Sequence, residues 1–336
     1  MDGRTRFQLV MEHNSDTCGF WHGNPHADSM ARLYKHFDVK DDFELALHLH
    51  DDVYWCMPES NGVWTGNTSM FDPLGGMVRK SLNQEGVFAN CEDIAEIDRY
   101  HWPDLNHLDF SNTLSLLRKT RAHDMATLSG MWCCFYHIVA DFFGMENYFV
   151  KMHTHPELVL AVTDRVVDFY LKANDILFDQ AGDLIDSFFF GNDFGSQLDL
   201  LISPDMFHRF VMPYFVKFVN QAKQRGYRVM LHSCGAVAKV IPDLIAAGVD
   251  GLHPIQALAQ HMDADSLQQQ FGGKIVFMGG LDTQQVITFD TPEQVLAECE
   301  RIRDIFGPNF ILSPSHECIL PNVPPANVAA MAAAKR

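Results

Sequence analysis

From Ala126 onward, short apolar runs of strand length alternate with longer amphipathic stretches, and this alternation limits the possible folds more than any other feature. A strand followed by a helix returns the chain to the same edge of a sheet, so a repeated series builds parallel strands covered by helices. Strands are predicted at 126–131, 183–190, 228–232, 249–253, 275–278 and 310–312. Helices are predicted at 155–180, 204–224, 237–247, 263–271, 291–306 and 325–334. Ser203 and Thr291 stand where N-caps belong, each followed by proline, and Gly226, Gly248 and Gly272–Gly273 close helices at their C-terminal ends. The expected fold is α/β, a (β/α)8 TIM barrel in one domain over 1–336. Residues 126–336 form the regular βα units. Residues 1–125, rich in aromatics and turn residues, form an irregular N-terminal extension of opening helices, an excursion and the first barrel strand.

Charge narrows the partners. Against 43 acidic residues stand 25 lysines and arginines, a formal net charge of −18. Such a surface repels phosphate backbones and anionic headgroups, so neither nucleic acid nor a membrane is expected. No apolar run approaches the roughly 20 residues that span a bilayer. Residues 1–10 are polar and carry both signs of charge, unlike a secretory signal, and the expected location is cytoplasmic. Six of the eight cysteines read as buried or free thiols, and Cys133 and Cys134 read as core. Cys234 and Cys318 have polar company.

In barrels of this kind, polar residues directly after a strand carry the chemistry. Here those positions hold Asn192 and Asp193, His232 and Cys234, His253 and Gln256, Asp282, and His316, Glu317 and Cys318. His232 and Cys234 stand two apart in Leu-His-Ser-Cys-Gly at 231–235, and imidazole plus thiolate suits zinc. With Cys318 as third ligand, one coordination position stays open for substrate. His316 or His253 could take that place instead, and hydrogen-bonding residues without a metal remain the other reading. Asp193, at the end of an apolar strand, is either an acid–base group or a backbone-binding orienter. Asp282 fits a loop-former or N-cap, and Asp51–Asp52 a solvated loop. Phe142, Phe143, Tyr148 and Phe149 read as core or pocket wall. No GxSxG, Walker A or GxGxxG motif occurs.

At these residues the sequence resembles the uroporphyrinogen decarboxylase superfamily. The matching segments are Gly191-Asn192-Asp193-Phe194-Gly195-Ser196-Gln197, Leu231 to Gly235, Pro254-Ile255-Gln256, Gly279 to Gln284, Pro314-Ser315-His316 and Pro324-Pro325-Ala326-Asn327. The resemblance implies a distorted barrel with a deep cleft at its C-terminal face, and by analogy a homodimer. Members include the haem-pathway decarboxylase and zinc-dependent methyltransferases, which move methyl groups between corrinoid proteins and thiols. The decarboxylase holds its polycarboxylate with an arginine-rich N-terminal segment. The corresponding stretch here, Gly19 to His26, has no arginine. The methyltransferases ligate zinc with His-x-Cys and a distant cysteine, which maps to His232, Cys234 and Cys318, or to Glu317 when counted back from Pro321.

Three readings follow. The first is a zinc-dependent methyltransferase acting on a small-molecule acceptor, with zinc on His232, Cys234 and Cys318 and the corrinoid carried by a partner protein, because no DxHxxG motif is present. Asp193, His316 and Glu317 are its candidate catalytic groups. Asn192, His253, Gln256, Asp282, Trp21, His22 and Tyr136 are its candidate substrate contacts. The second is a metal-independent decarboxylase using Asp193 or Asp52 with His316 as acid. The third is a non-catalytic binding barrel.

Overall fold

The computed structural model describes residues 1–335; Arg336, the end of the expected domain span, lies outside the described residues. Ten strands occur among them: β1 (Gly19–Phe20), β2 (Asn24–Pro25), β3 (Val53–Cys56), β4 (Ala126–Ser129), β5 (Ser187–Gly191), β6 (Arg228–His232), β7 (Gly251–Ile255), β8 (Val276–Leu281), β9 (Phe310–Pro314) and β10 (Cys318–Ile319). Eight of them pair in parallel in the order β1-β9-β8-β7-β6-β5-β4-β3. Helices surround this nearly closed barrel, so the expected (β/α)8 architecture is the observed one. β2 and β10 form a separate parallel pair above it.

The barrel has two hydrophobic compartments because successive strand residues point to opposite faces. In β5, Phe188 and Phe190 pack outward against the helices, while Phe189 points into the lumen. In β6, Val229 and Leu231 face outward and Met230 inward. The lumen is filled by Phe189, Met230, Val276, Met278 and Ile311. Its lower end is plugged by Phe7, Val10 and Met11 of the helix Gly3–Met11. The same alternation that turns Met230 inward turns His232 toward the mouth.

The N-terminal third departs from expectation: it supplies two barrel strands, β1 and β3, rather than one. They meet at the seam without laddered pairing. The Asp52 N–H donates to the Phe20 carbonyl at 2.9 Å, and the Asp52 carboxylate accepts the Phe20 N–H at 2.9 Å. Asp51 accepts the His22 N–H at 3.0 Å. Asp51–Asp52 is therefore no solvated loop; both residues are buried, and Asp52 also binds Arg6 at 2.5 Å and Lys335 at 2.8 Å. Carboxylates replace the missing strand ladder and satisfy backbone groups that would otherwise be orphaned.

Smaller differences have local causes. The helix expected over 204–224 is two, Pro204–Phe210 and Met212–Gln224, because Pro213 has no N–H to bond one turn back. Residues 182–184 form a 3-10 turn, so β5 begins later than expected. Helices Phe135–Phe143 and Met145–Thr154 were not anticipated. They bury Phe142, Phe143 and Tyr148, as the core reading of that stripe expected.

Candidate active site

The C-terminal ends of β5, β6, β7 and β9 converge on His232. Its Nδ1 lies 3.1 Å from His253 Nδ1 and 3.7 Å from Glu317 Oε2. Its Nε2 lies 3.4 Å from Cys234 Sγ and 3.3 Å from Asp193 Oδ1. Two groups of candidate ligand atoms result, each within 4.8 Å of one another: Asp193, His232 and Cys234 on one side, and His232, His253 and Glu317 on the other. His232 belongs to both and offers a different ring nitrogen to each.

The loops are shaped to make this approach. Gly235 has φ +88°, and a Cβ there would meet the Gly195 backbone at 2.3 Å; glycine lets the 233–236 turn pack onto the loop after β5. The Asp193 carboxylate accepts the Cys234 N–H at 2.9 Å, and the Asp193 N–H donates to His137 Nε2 at 3.0 Å. A chain of contacts from His137 through Asp193 thus fixes Cys234 beside His232. Beneath lies an aromatic floor. Trp132 packs on His232 at 5.2 Å, Trp21 and Phe189 pack on His253 at 5.4 and 5.6 Å, and Trp55 packs on Trp132 at 4.9 Å.

Electrostatics separate the two histidines. Burial opposes charge on His232, but its hydrogen bonds to Asp193 and Cys234 and the Glu317 charge outweigh burial, so its pKa lies well above the ordinary value. Burial pushes His253 well below, and the neighbouring His232 and His316 add to that. Burial alone would raise Asp193, yet the His232 contact and the Cys234 N–H hold it well below the usual carboxylate range. The Cys234 thiol is raised by burial, partly offset by His232.

The expected residues divide. Asp193, His232, Cys234, His253 and Glu317 come together. His316 stands at the rim, its ring 6.4 Å from that of His232, and its Nδ1 accepts the Cys318 N–H at 3.1 Å. Cys318 lies on β10 and belongs to neither ligand group, so the expected trio of His232, Cys234 and Cys318 does not converge. Three expected substrate contacts serve backbone instead. Buried Asn192 accepts from Tyr136 N–H at 3.0 Å and donates to the Cys133 carbonyl at 2.9 Å. Gln256 accepts the Gly235 N–H at 2.7 Å. Asp282 accepts from the N–H groups of Gln284 and Gln285, as the loop-former reading expected. Tyr136 is buried, with a hydroxyl that has no partner. Trp21 belongs to the floor, and His22 is paired with Asp51.

His137, Glu59 and Trp132 were missed. Trp132 and Glu59 lie shortly after β4 and β3, so the rule that found His232 would have found them had those strand ends been weighed alike. Glu59 accepts the Trp132 N–H at 2.8 Å, and burial raises its carboxyl to about 7. His137, on a helix, leaves no such signal.

Residues 70–336 match the family model described as uroporphyrinogen decarboxylase (URO-D). A curated relative, the methylcobamide:CoM methyltransferase MtbA of Methanosarcina acetivorans, is 24% identical over 219 residues, covering 65% of this chain and 61% of that protein. A solved methyltransferase structure from Methanosarcina mazei superposes with a TM-score of 0.64 at 17% identity, covering 100% of this chain and 98% of the other, which is a likeness of fold.

Proposed function

The chain belongs to the uroporphyrinogen decarboxylase family, and from that premise we propose that it is a zinc-dependent methyltransferase moving a methyl group between a separate methyl-corrinoid protein and a thiol acceptor. The observation that carries this reading is the Cys234 thiol 3.4 Å from a His232 nitrogen, with carboxylates on either side. The residues fit a metal ion. Asp193, His232 and Cys234 offer ligand atoms that all lie within 4.8 Å of one another. Nitrogen, sulfur and oxygen donors together suit zinc.

In this proposal His232 and Cys234 hold the ion, and Asp193, which shares the Nε2 side of His232 with Cys234, replaces Cys318 as third ligand. Zinc held there supplies a Lewis acid that lowers the pKa of a bound thiol. The protein does the rest. Asp193 holds the Cys234 backbone through its N–H and so anchors the turn that carries the thiol. His253 stays uncharged and adds no repulsion. The floor of Trp21, Trp132 and Phe189 excludes water from beneath, which strengthens every charge interaction above it. Similarity to a methylcobamide methyltransferase supports the corrinoid partner, and the absence of arginine in residues 19–26 weighs against a polycarboxylate substrate. A homodimer and a cytoplasmic location belong to the same proposal.

The test mixes the zinc-loaded protein with methylcobalamin and a panel of small thiols and follows the corrinoid spectrum. Thiol-dependent demethylation, lost in Cys234→Ala, is expected. Carbon dioxide release from a carboxylated substrate, with no methyl transfer to any thiol, would transfer the assignment to the decarboxylase reading.

A further inference from the structure

The two imidazoles at the centre of the site meet nitrogen to nitrogen. His232 Nδ1 and His253 Nδ1 are 3.1 Å apart, and both side chains are buried. At that distance the pair shares one hydrogen: one Nδ1 donates and the other accepts with its lone pair. The Glu317 carboxylate does not compete, because its Oε2 is 3.7 Å from His232 Nδ1, beyond hydrogen-bond reach. His253 otherwise packs against the rings of Trp21 and Phe189, and its Nε2 has no hydrogen-bond partner. No acceptor there dictates which nitrogen of His253 carries hydrogen, so the contact with His232 decides it.

The direction of that hydrogen bond follows from the zinc site, and the inference rests on that reading. Cys234 Sγ and Asp193 Oδ1 flank His232 Nε2 at 3.4 and 3.3 Å, so Nε2 is the nitrogen that faces the ion. A neutral imidazole that ligates through Nε2 keeps its one hydrogen on Nδ1. His232 Nδ1 then donates, His253 Nδ1 is bare, and the His253 hydrogen sits on Nε2. The other group of candidate ligands, His232, His253 and Glu317, cannot hold a second ion while the first is bound, because a protonated Nδ1 has no lone pair to give.

We propose that His253 is a positioning residue for the zinc site: its Nδ1 lone pair accepts the His232 Nδ1 hydrogen and so holds His232 in the tautomer and ring orientation that aim Nε2 at the ion. A ligand imidazole whose other nitrogen is bonded to an acceptor is both oriented and made a stronger donor to the metal. A carboxylate, a backbone carbonyl or water commonly fills that role; here a strand neighbour fills it. His232 and His253 are register partners on β6 and β7, so the sheet itself sets their separation.

The test measures the zinc affinity of the full-length protein by competition with a chromophoric chelator in the wild type, His253→Phe and His253→Asn, with a thermal scan on each variant. His253→Phe keeps a ring and removes the acceptor, whereas His253→Asn returns an acceptor oxygen near the Nδ1 position. Affinity should fall on the order of 10- to 100-fold in His253→Phe, and His253→Asn should recover most of that loss. A purely structural role predicts the reverse order, because phenylalanine fills the aromatic surroundings better than asparagine. Nitrogen-15 NMR of the zinc-loaded wild type supplies a readout that stands even if neither variant folds: one buried histidine protonated on Nδ1 with metal on Nε2, and its neighbour protonated on Nε2 alone. A zinc-loaded wild type with His253 protonated on Nδ1, a His253→Phe that binds zinc as tightly as the wild type, or a folded His253→Asn no better than His253→Phe would overturn this inference and leave the zinc reading intact. A wild type that takes up no zinc would overturn both.

Discussion

The arc from β5 to β9 and the seam between β1 and β3 solve the same problem in opposite ways. In the arc, backbone ladders satisfy the strands, so His232 is free to face Asp193 and Cys234 on one side and His253 and Glu317 on the other. At the seam the ladder is missing, and Asp51 and Asp52 spend their oxygens on the N–H groups of His22 and Phe20. An acid at a strand end can therefore be chemistry or architecture. What separates the two is whether its oxygens are occupied: Asp52 is fully engaged, whereas Glu317 Oε2 has no hydrogen bond.

Substitutions on the two sides should have contrasting effects. The largest change is expected on the arc, where His232→Ala should abolish zinc binding and methyl transfer while leaving the cooperative unfolding transition in place; metal analysis and a thermal scan check both halves. At the seam, Asp52→Ala leaves Arg6 and Lys335 as uncompensated cations beside a broken backbone link. It should cost about 3–5 kcal/mol in denaturant unfolding, as breaking a buried pair does, with unchanged zinc content per folded chain. Loss of zinc without loss of stability in that variant would erase the distinction.

Glu59, beside the floor, gives a smaller effect that depends on pH. Its carboxyl lies at about 7 in the folded chain against an ordinary 4.5, so between those values the native state holds the extra proton. This group's contribution to stability is then fully present at low pH, declines as pH rises from about 4.5 to about 7, and is level above. Glu59→Gln should flatten that decline in denaturant midpoints measured across the interval; an unchanged slope would remove Glu59 as its source. The smallest effect is expected for Cys318→Ser. Because that thiol lies outside both ligand groups, zinc stoichiometry should stay at the wild-type value.

Much of the arc was legible in the sequence because its strands are continuous apolar runs ended by polar residues: β6 falls on 228–232 as read, with His232 at its end. The seam was not legible. β1 is two residues long, and its closure depends on carboxylates whose cationic partners lie 46 and 283 residues away, so no local pattern encodes it. The helix Phe135–Phe143 hid for another reason: it is short and seven of its nine residues are apolar or aromatic, so the run does not distinguish a helix from a buried strand. Within the site, spacing identified His232 and Cys234 as neighbours, but it could not tell Glu317 from Cys318. Adjacent residues leave an extended segment in opposite directions, and only the fold decides which one faces the cluster.

The most direct test of the account is the zinc content of untagged protein after incubation with zinc and desalting, compared between the wild type and Cys234→Ala. The account predicts about one zinc per chain in the wild type, as one catalytic site requires, and close to none in the variant. A wild type that retains no zinc, or a variant that retains as much as the wild type, would contradict it.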